Sequence, residues 1–154
     1  MTNHETQSQS KKRLDSERIS RFKEADKFLS LIDPSAKHWC FQTVGQTDES
    51  KGQAEVIYGT LTRNLGTLTD LNRRGSAIFV TINESEGGRK TEDVTRVRAC
   101  FADFDRDNYP EQYPIPPHII VESSPKKRHV YWLVDGMPLE DFKAQQLGIA
   151  DALD

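Results

Sequence analysis

In "RVRACFADFDRDN", residues 96 to 108, an apolar run passes directly into three aspartates spaced two apart, Asp103, Asp105 and Asp107. On a strand, alternation puts Val97, Ala99, Phe101, Asp103 and Asp105 on one face and Arg96, Arg98, Cys100, Ala102 and Phe104 on the other. Asp103 and Asp105 then point the same way, about 7 Å apart along the strand. Two carboxylates so placed repel unless a cation lies near them, and hard divalent ions such as Mg²⁺ or Mn²⁺ are their natural partners. The plain alternative is an acidic strand end facing solvent. A calcium loop starts similarly, as D-x-D-x-D-N, but its sixth position here is Asn108 instead of Gly and its twelfth is Pro114 instead of Glu. Asp107, beyond the apolar run, reads as a turn residue.

A second group stands in "VESSPKKRHVYW", residues 121 to 132, where two hydroxyls, three cations and a histidine crowd around one turn. Ser124 can offer a hydroxyl donor and Lys127 and Arg128 full positive charge to phosphate oxygens. His129, entering the returning strand, can donate to a phosphate or act on a proton. The commoner fate of a "KKR" run is a solvated turn, and that of a lone strand histidine is a structural one. What favours chemistry is their combination with a paired-carboxylate strand.

The elements that must position these groups follow from periodicity and turn signals. Residues 1–13 are polar with almost nothing apolar to bury, and are expected to form a disordered tail. Over 14–36, Ile19, Phe22, Leu29 and Ile32 mark one face of an amphipathic helix, capped by Asp15 or Ser16 and stopped by Asp33-Pro34. "KHWCFQTVG" and "AEVIYGTL" are extended, separated by a polar loop "QTDESKGQ". Leu61, Leu65, Leu68 and Leu71 give a helix closed at Gly75. "SAIFVTIN" is a strand, "ESEGGRKTEDVT" a charged loop, and "RVRACFADFD" a strand. "NYPEQYPIPP" is irregular. "HIIVESS" and "HVYWLV" form a hairpin around "PKKR", and Leu139, Phe142, Ile149 and Leu153 mark a final helix in which Gln146 and Gly148 are weak points. This order predicts an α+β fold, a sheet with helices mainly on one side and its other face open to a ligand.

Composition narrows the function classes. With 154 residues, 35% hydrophobic and 29% charged, the chain fits one core plus polar extensions. A polar start and the lack of any long apolar run predict neither a secretory signal nor a membrane span, hence a cytoplasmic protein without a membrane partner. Cys40 and Cys100 have no zinc-like spacing and read as reduced structural thiols. A net charge of −3 excludes coating of nucleic acid by a uniform positive field, so any such contact needs local basic clusters.

The blocks "GSAIFVTINESEGGRKTEDVTRVRACFADFD" and "PPHIIVESSPKKRHVYWLVDGMPLEDF" together resemble the RepB-like DNA primases of plasmids and mobile elements, within the archaeo-eukaryotic primase superfamily. The resemblance spans roughly residues 37 to 154. The superfamily's first motif, an apolar strand ending in D-x-D or D-x-E, is matched by Asp103 and Asp105. Its second, a serine followed by a basic segment containing histidine, is matched by Ser124 and His129 with Lys127 between them. The resemblance implies an RRM-like sheet with an α/β unit ahead of it, and primer synthesis on single-stranded DNA from nucleoside triphosphates. It further implies metal ions on Asp103 and Asp105, and Ser124, Lys127 and His129 on the triphosphate, with Arg128 as a helper. A replicative helicase or initiator protein is a candidate partner.

The sequence departs from that pattern at its end. The superfamily's third acidic motif, on a later strand, has no counterpart before "GIADALD". The core over 37–154 is therefore expected to be C-terminally truncated, to have an uncovered sheet edge, and to be a poor primer synthase alone. Two rival readings of the same residues are a module that binds single-stranded nucleic acid or nucleotide without catalysis, and a metal-dependent nuclease.

Overall fold

The computed structural model describes residues 3–47 and 54–153, so most of the polar loop expected at 46–53 lies outside the described residues. The chain divides into two compact units, residues up to Ala36 and residues from Lys37 onward.

The first unit is a helix, α1 (Asn3–Ile32). It runs through the expected caps Asp15 and Ser16 and through most of the segment expected as a disordered tail, which corrects both expectations. Lys, Arg, Glu and Gln are good helix formers irrespective of burial, and Arg13 and Glu17 meet at 3.1 Å one turn apart. The end is where the sequence puts it: Asp33 accepts from the Ser35 backbone N–H and hydroxyl, a turn that satisfies the chain as it leaves the helix.

The second unit is α+β. Strand β1 (Trp39–Gly45) is the centre of an antiparallel sheet, with β2 (Ala54–Gly59) on one side and β3 (Ser76–Val80) on the other. Helix α2 (Leu61–Arg73) connects β2 to β3 and packs on both. Thr60 caps its start by accepting from the Arg63 N–H, and Leu68 and Leu71 are buried. Gly75 ends it in the left-handed region, φ +87°, where a Cβ would meet the Thr47 side chain at 2.5 Å.

The "charged loop" of the sequence contains structure of its own. β4 (Glu84–Ser85) and β5 (Val94–Arg96) pair as a short ribbon around a 3₁₀ turn at Thr91–Asp93. The expected single strand over 96–105 is broken after Arg96 and resumes as β6 (Ala99–Phe104). At the break Arg98 turns inward. Its side chain is 2% exposed, held by Glu84 at 3.3 Å and stacked over the Trp39 ring at 4.4 Å. The Asn83 side chain accepts from the backbone N–H groups of Arg98 and Ala99, taking the place of a strand partner. The strands form three antiparallel sheets, in keeping with the α+β class expected from the sequence.

The third sheet carries the residues of interest. β8 (Lys127–Leu133) lies between β6 and β7 (Ile119–Ser124), antiparallel to both. Phe104, Val130 and Trp132 form its core cluster, with Tyr109 and Tyr113 of the proline-rich segment and Ile149 and Leu153 of α3 (Leu139–Leu153) packed against it. Trp132 donates to the Ile115 carbonyl, pinning that irregular segment. Helix α3 lies along the free edge of β6, where the Gln146 amide exchanges two hydrogen bonds with the Phe101 backbone, at 2.9 and 3.0 Å. The sequence expectation of an uncovered edge is thus corrected for β6. The residue read as a weak point in the helix is the one that docks it.

Cys40 and Cys100 are both buried and unpaired with each other, and burial pushes the Cys100 thiol up. No helix among the described residues is long and apolar enough to cross a membrane.

Candidate active site

The hairpin β7–β8 turns through Pro125 and Lys126, tighter than the four-residue turn read from the sequence, with Lys126 at φ 69°. A positive φ at the second central position is the signature of a type II turn, and a lysine there carries a cost that glycine would avoid. A bulge between Glu122 and Ser124 brings Ser124, not Ser123, opposite Lys127. On β8 itself alternation sends Lys127, His129 and Tyr131 to one face and Arg128, Val130 and Trp132 to the other.

Pairing with β6 then decides what each of these side chains meets. Asp103 lies directly opposite His129, and its Oδ1 is 3.3 Å from His129 Nε2. Asp105, just past the strand end, accepts from Lys127 Nζ at 3.1 Å. Asp107 meets Lys126 at 3.1 Å in the same way. Lys126, followed by a hydrogen bond from Tyr109, holds the Asp107 carboxyl below the usual carboxylate range. The three aspartates of the sequence therefore form a ladder against Lys126, Lys127 and His129 of one hairpin. Asp103 and Asp105 share a face, as alternation predicts.

Arg128 is not brought to that face. Its guanidinium stacks over the Tyr109 ring at 3.7 Å, on the side of the sheet that holds the core cluster. The structure does not bring this expected phosphate helper together with Lys127 and His129, and the alternation of β8 is the physical reason. The other expected site residues, Asp103, Asp105, Ser124, Lys127 and His129, are gathered at one end of the sheet.

Asp103 and His129 also form part of the wall of a groove of about 720 Å³, bounded by β3, the β4–β5 ribbon, β6, β8 and the start of α3. Phe101 and Tyr131 continue that wall, their rings 6.4 Å apart, and Phe142 of α3 packs on Phe101 at 6.3 Å. Burial, with the Asp103 charge as a smaller cause, pushes the Tyr131 phenol up to about 12, so it stays a neutral donor. Phe79 of β3 and Arg89 of the ribbon face the groove from the other side. The sequence singled out neither. The period-2 pattern of "SAIFV" and the basic pair in "GGRK" are the signals that could have done so.

Whether these groups fit a metal depends on the donor set. Among the described residues no three His, Cys, Asp or Glu side chains converge as a ready-made cage. Mg²⁺ does not need one, since it is commonly held by one or two carboxylates, water and substrate phosphates. Asp103 and Asp105 are about half exposed or more, at 54% and 78%. Exposed ion pairs of this kind are worth roughly 0–1 kcal/mol, so a dication and a phosphate can replace them at little cost. The donor chemistry fits a hard divalent ion that arrives with a phosphate ligand.

No family model, no curated protein and no solved structure matches the chain.

Proposed function

We propose that this chain is a DNA-directed nucleotidyltransferase of the RepB-like primase kind, making primers on a single-stranded DNA template from nucleoside triphosphates. The observation that carries the reading is the rung Asp103–His129 in the wall of the groove, with the rung Asp105–Lys127 next to it along the same pair of strands. It supports the reading because nucleotidyl transfer needs both halves, carboxylates for metal and cations for triphosphate, within one substrate's reach. Asp103 and Asp105 would hold Mg²⁺ or Mn²⁺, which when bound neutralises phosphate charge and activates the attacking hydroxyl.

The side chains then have separable tasks. Lys127, released from Asp105, neutralises triphosphate oxygens as a point charge, and Ser124 opposite it donates its hydroxyl. His129 Nε2, released from Asp103, donates to a phosphate or takes the proton of the attacking 3′ hydroxyl. The new bond joins the 3′ oxygen to the α-phosphorus as the bond to pyrophosphate breaks. Such work belongs in the cytoplasm, beside a replicative helicase or initiator protein.

The test is incubation with single-stranded template, labelled triphosphates and Mn²⁺. A template-dependent product, even a slow one, that Asp103→Asn lowers by about 100-fold or more upholds the reading. Cleavage of the template in its place identifies a nuclease, and retardation of the strand with neither reaction a binding module.

A further inference from the structure

The wall of the groove opposite Asp103 is built from a different chemistry. β1 and β3 place Gln42 directly beside Phe79, and β1 and β2 place Val56 on Gln42's other side, so the three form one row across an open sheet face. Phe79 is 53% exposed and Val56 48%. Phe79 also lines the groove, so its exposed ring is available to a ligand lying there. Above that row lies Arg89, whose Nη1 donates to Gln42 Oε1 at 2.8 Å. The bond fixes the guanidinium over the same face as the ring, and among the described residues no carboxylate pairs with it. The ribbon β4–β5 sets this position, since Arg89 sits in its connecting segment, where Glu86 and Asp93 close a backbone hydrogen bond.

A planar apolar surface beside an oriented cation matches one repeating ligand, a nucleobase attached to a phosphodiester. Aromatic stacking holds the base regardless of its identity, and arginine takes the phosphate by a fork of donors. The chain's net charge of −3 makes such a local cation more telling, because no general positive field would draw the strand in. Phe79, Arg89, Asp103 and His129 border the same groove, so a strand gripped at the first two passes in front of the second two.

We propose that Phe79 and Arg89, the latter oriented by Gln42, form a subsite for one nucleotide of the single-stranded template. The inference rests on the reading of the groove as a nucleotidyltransferase site and adds where the strand, as distinct from the triphosphate, is held. Gln42 is a positioning residue; Phe79 and Arg89 touch the strand.

The experiment measures binding of a labelled oligothymidylate by fluorescence anisotropy across a salt series, for the full chain and the variants Phe79→Leu, Arg89→Gln and Lys127→Ala. Circular dichroism checks that each is folded, and Phe79→Leu keeps an apolar strand residue in place. Each preparation is also titrated with a nucleoside triphosphate and Mn²⁺. Phe79→Leu and Arg89→Gln are each expected to weaken oligonucleotide binding by about tenfold. Arg89→Gln should also flatten the salt dependence by the share of about one phosphate contact, and both should leave triphosphate binding within about twofold of the parent. Unchanged oligonucleotide affinity in both variants overturns the subsite while leaving the enzyme reading intact. So does a Phe79→Leu variant that alters only self-association by sedimentation, since the ring would then belong to a protein contact. If oligonucleotide binding falls as expected while Lys127→Ala binds triphosphate like the parent, the subsite stands and the nucleotidyltransferase reading fails.

Discussion

Gln146 and Phe101 exchange two hydrogen bonds between a side-chain amide and a strand backbone, at 2.9 and 3.0 Å, so that α3 occupies the edge β6 would otherwise expose. Phe101 lies two residues before Asp103, and the contact therefore fixes the strand that carries the first carboxylate. Gln146→Leu keeps helix propensity and removes both bonds. A loss of about 1–2 kcal/mol is expected, seen as a lower urea midpoint with unchanged slope, together with concentration-dependent association through the opened edge. An unchanged midpoint would show that α3 is held by its apolar contacts alone.

The buried Arg98 makes a pH prediction. A hydrogen bond from Arg96 holds the Glu84 carboxyl below its ordinary value of 4.5; burial opposes the shift, and the charges of Arg98 and Arg96 add to it. A carboxyl depressed in the fold contributes stability that is present above its unfolded value and lost as pH falls through its folded one. Stability should therefore decline below about pH 4.5, and Glu84→Gln should remove part of that decline. At neutral pH the same variant leaves Arg98 without its partner carboxylate and is expected to cost about 3 kcal/mol. Thermal unfolding of both proteins at pH 7 and pH 4 checks this; parallel pH profiles would remove Glu84 from the acid response.

Adjacent residues on β8 should behave in opposite ways. Arg128→Ala loses the stack on Tyr109 and is expected to cost about 0.5–1 kcal/mol of stability, with triphosphate binding unchanged. Lys127→Ala should leave stability nearly as it was, because its exposed pair with Asp105 is worth little. It should weaken triphosphate binding several-fold at low salt, with a smaller deficit as salt rises. Chemical denaturation and triphosphate titration on the two variants test the pair. Equal losses of binding would mean that the sheet face does not separate their roles.

Local signals in the sequence were sufficient wherever the structure obeys one period. Leu61 to Leu71 and Gly75 define α2, Leu139 to Leu153 define α3, and the shared face of Asp103 and Asp105 follows from alternation alone. What failed was decided by contacts distant in the chain. The break at Arg98 depends on Glu84 and Trp39 and has no local signature, since "RVRACF" alternates like any strand. Glu84 to Thr95 read as a solvated loop because the ribbon's pairing partners are short and polar. The pattern of "SAIFV" and the basic pair in "GGRK" mark Phe79 and Arg89 singly, but their proximity arises only through Gln42 of β1.

The reaction proposed for the groove depends on Asp103 and Asp105 together binding a divalent ion that arrives with a triphosphate. Calorimetric titration of the full chain with Mn²⁺ in the presence of a non-hydrolysable nucleoside triphosphate tests it most directly, beside the double variant Asp103→Asn, Asp105→Asn. Saturable heat is expected for the native chain and almost none for the double variant, with both proteins folded by circular dichroism. Equal binding by the two would contradict it and leave the aspartate ladder as a surface pairing with the hairpin's cations.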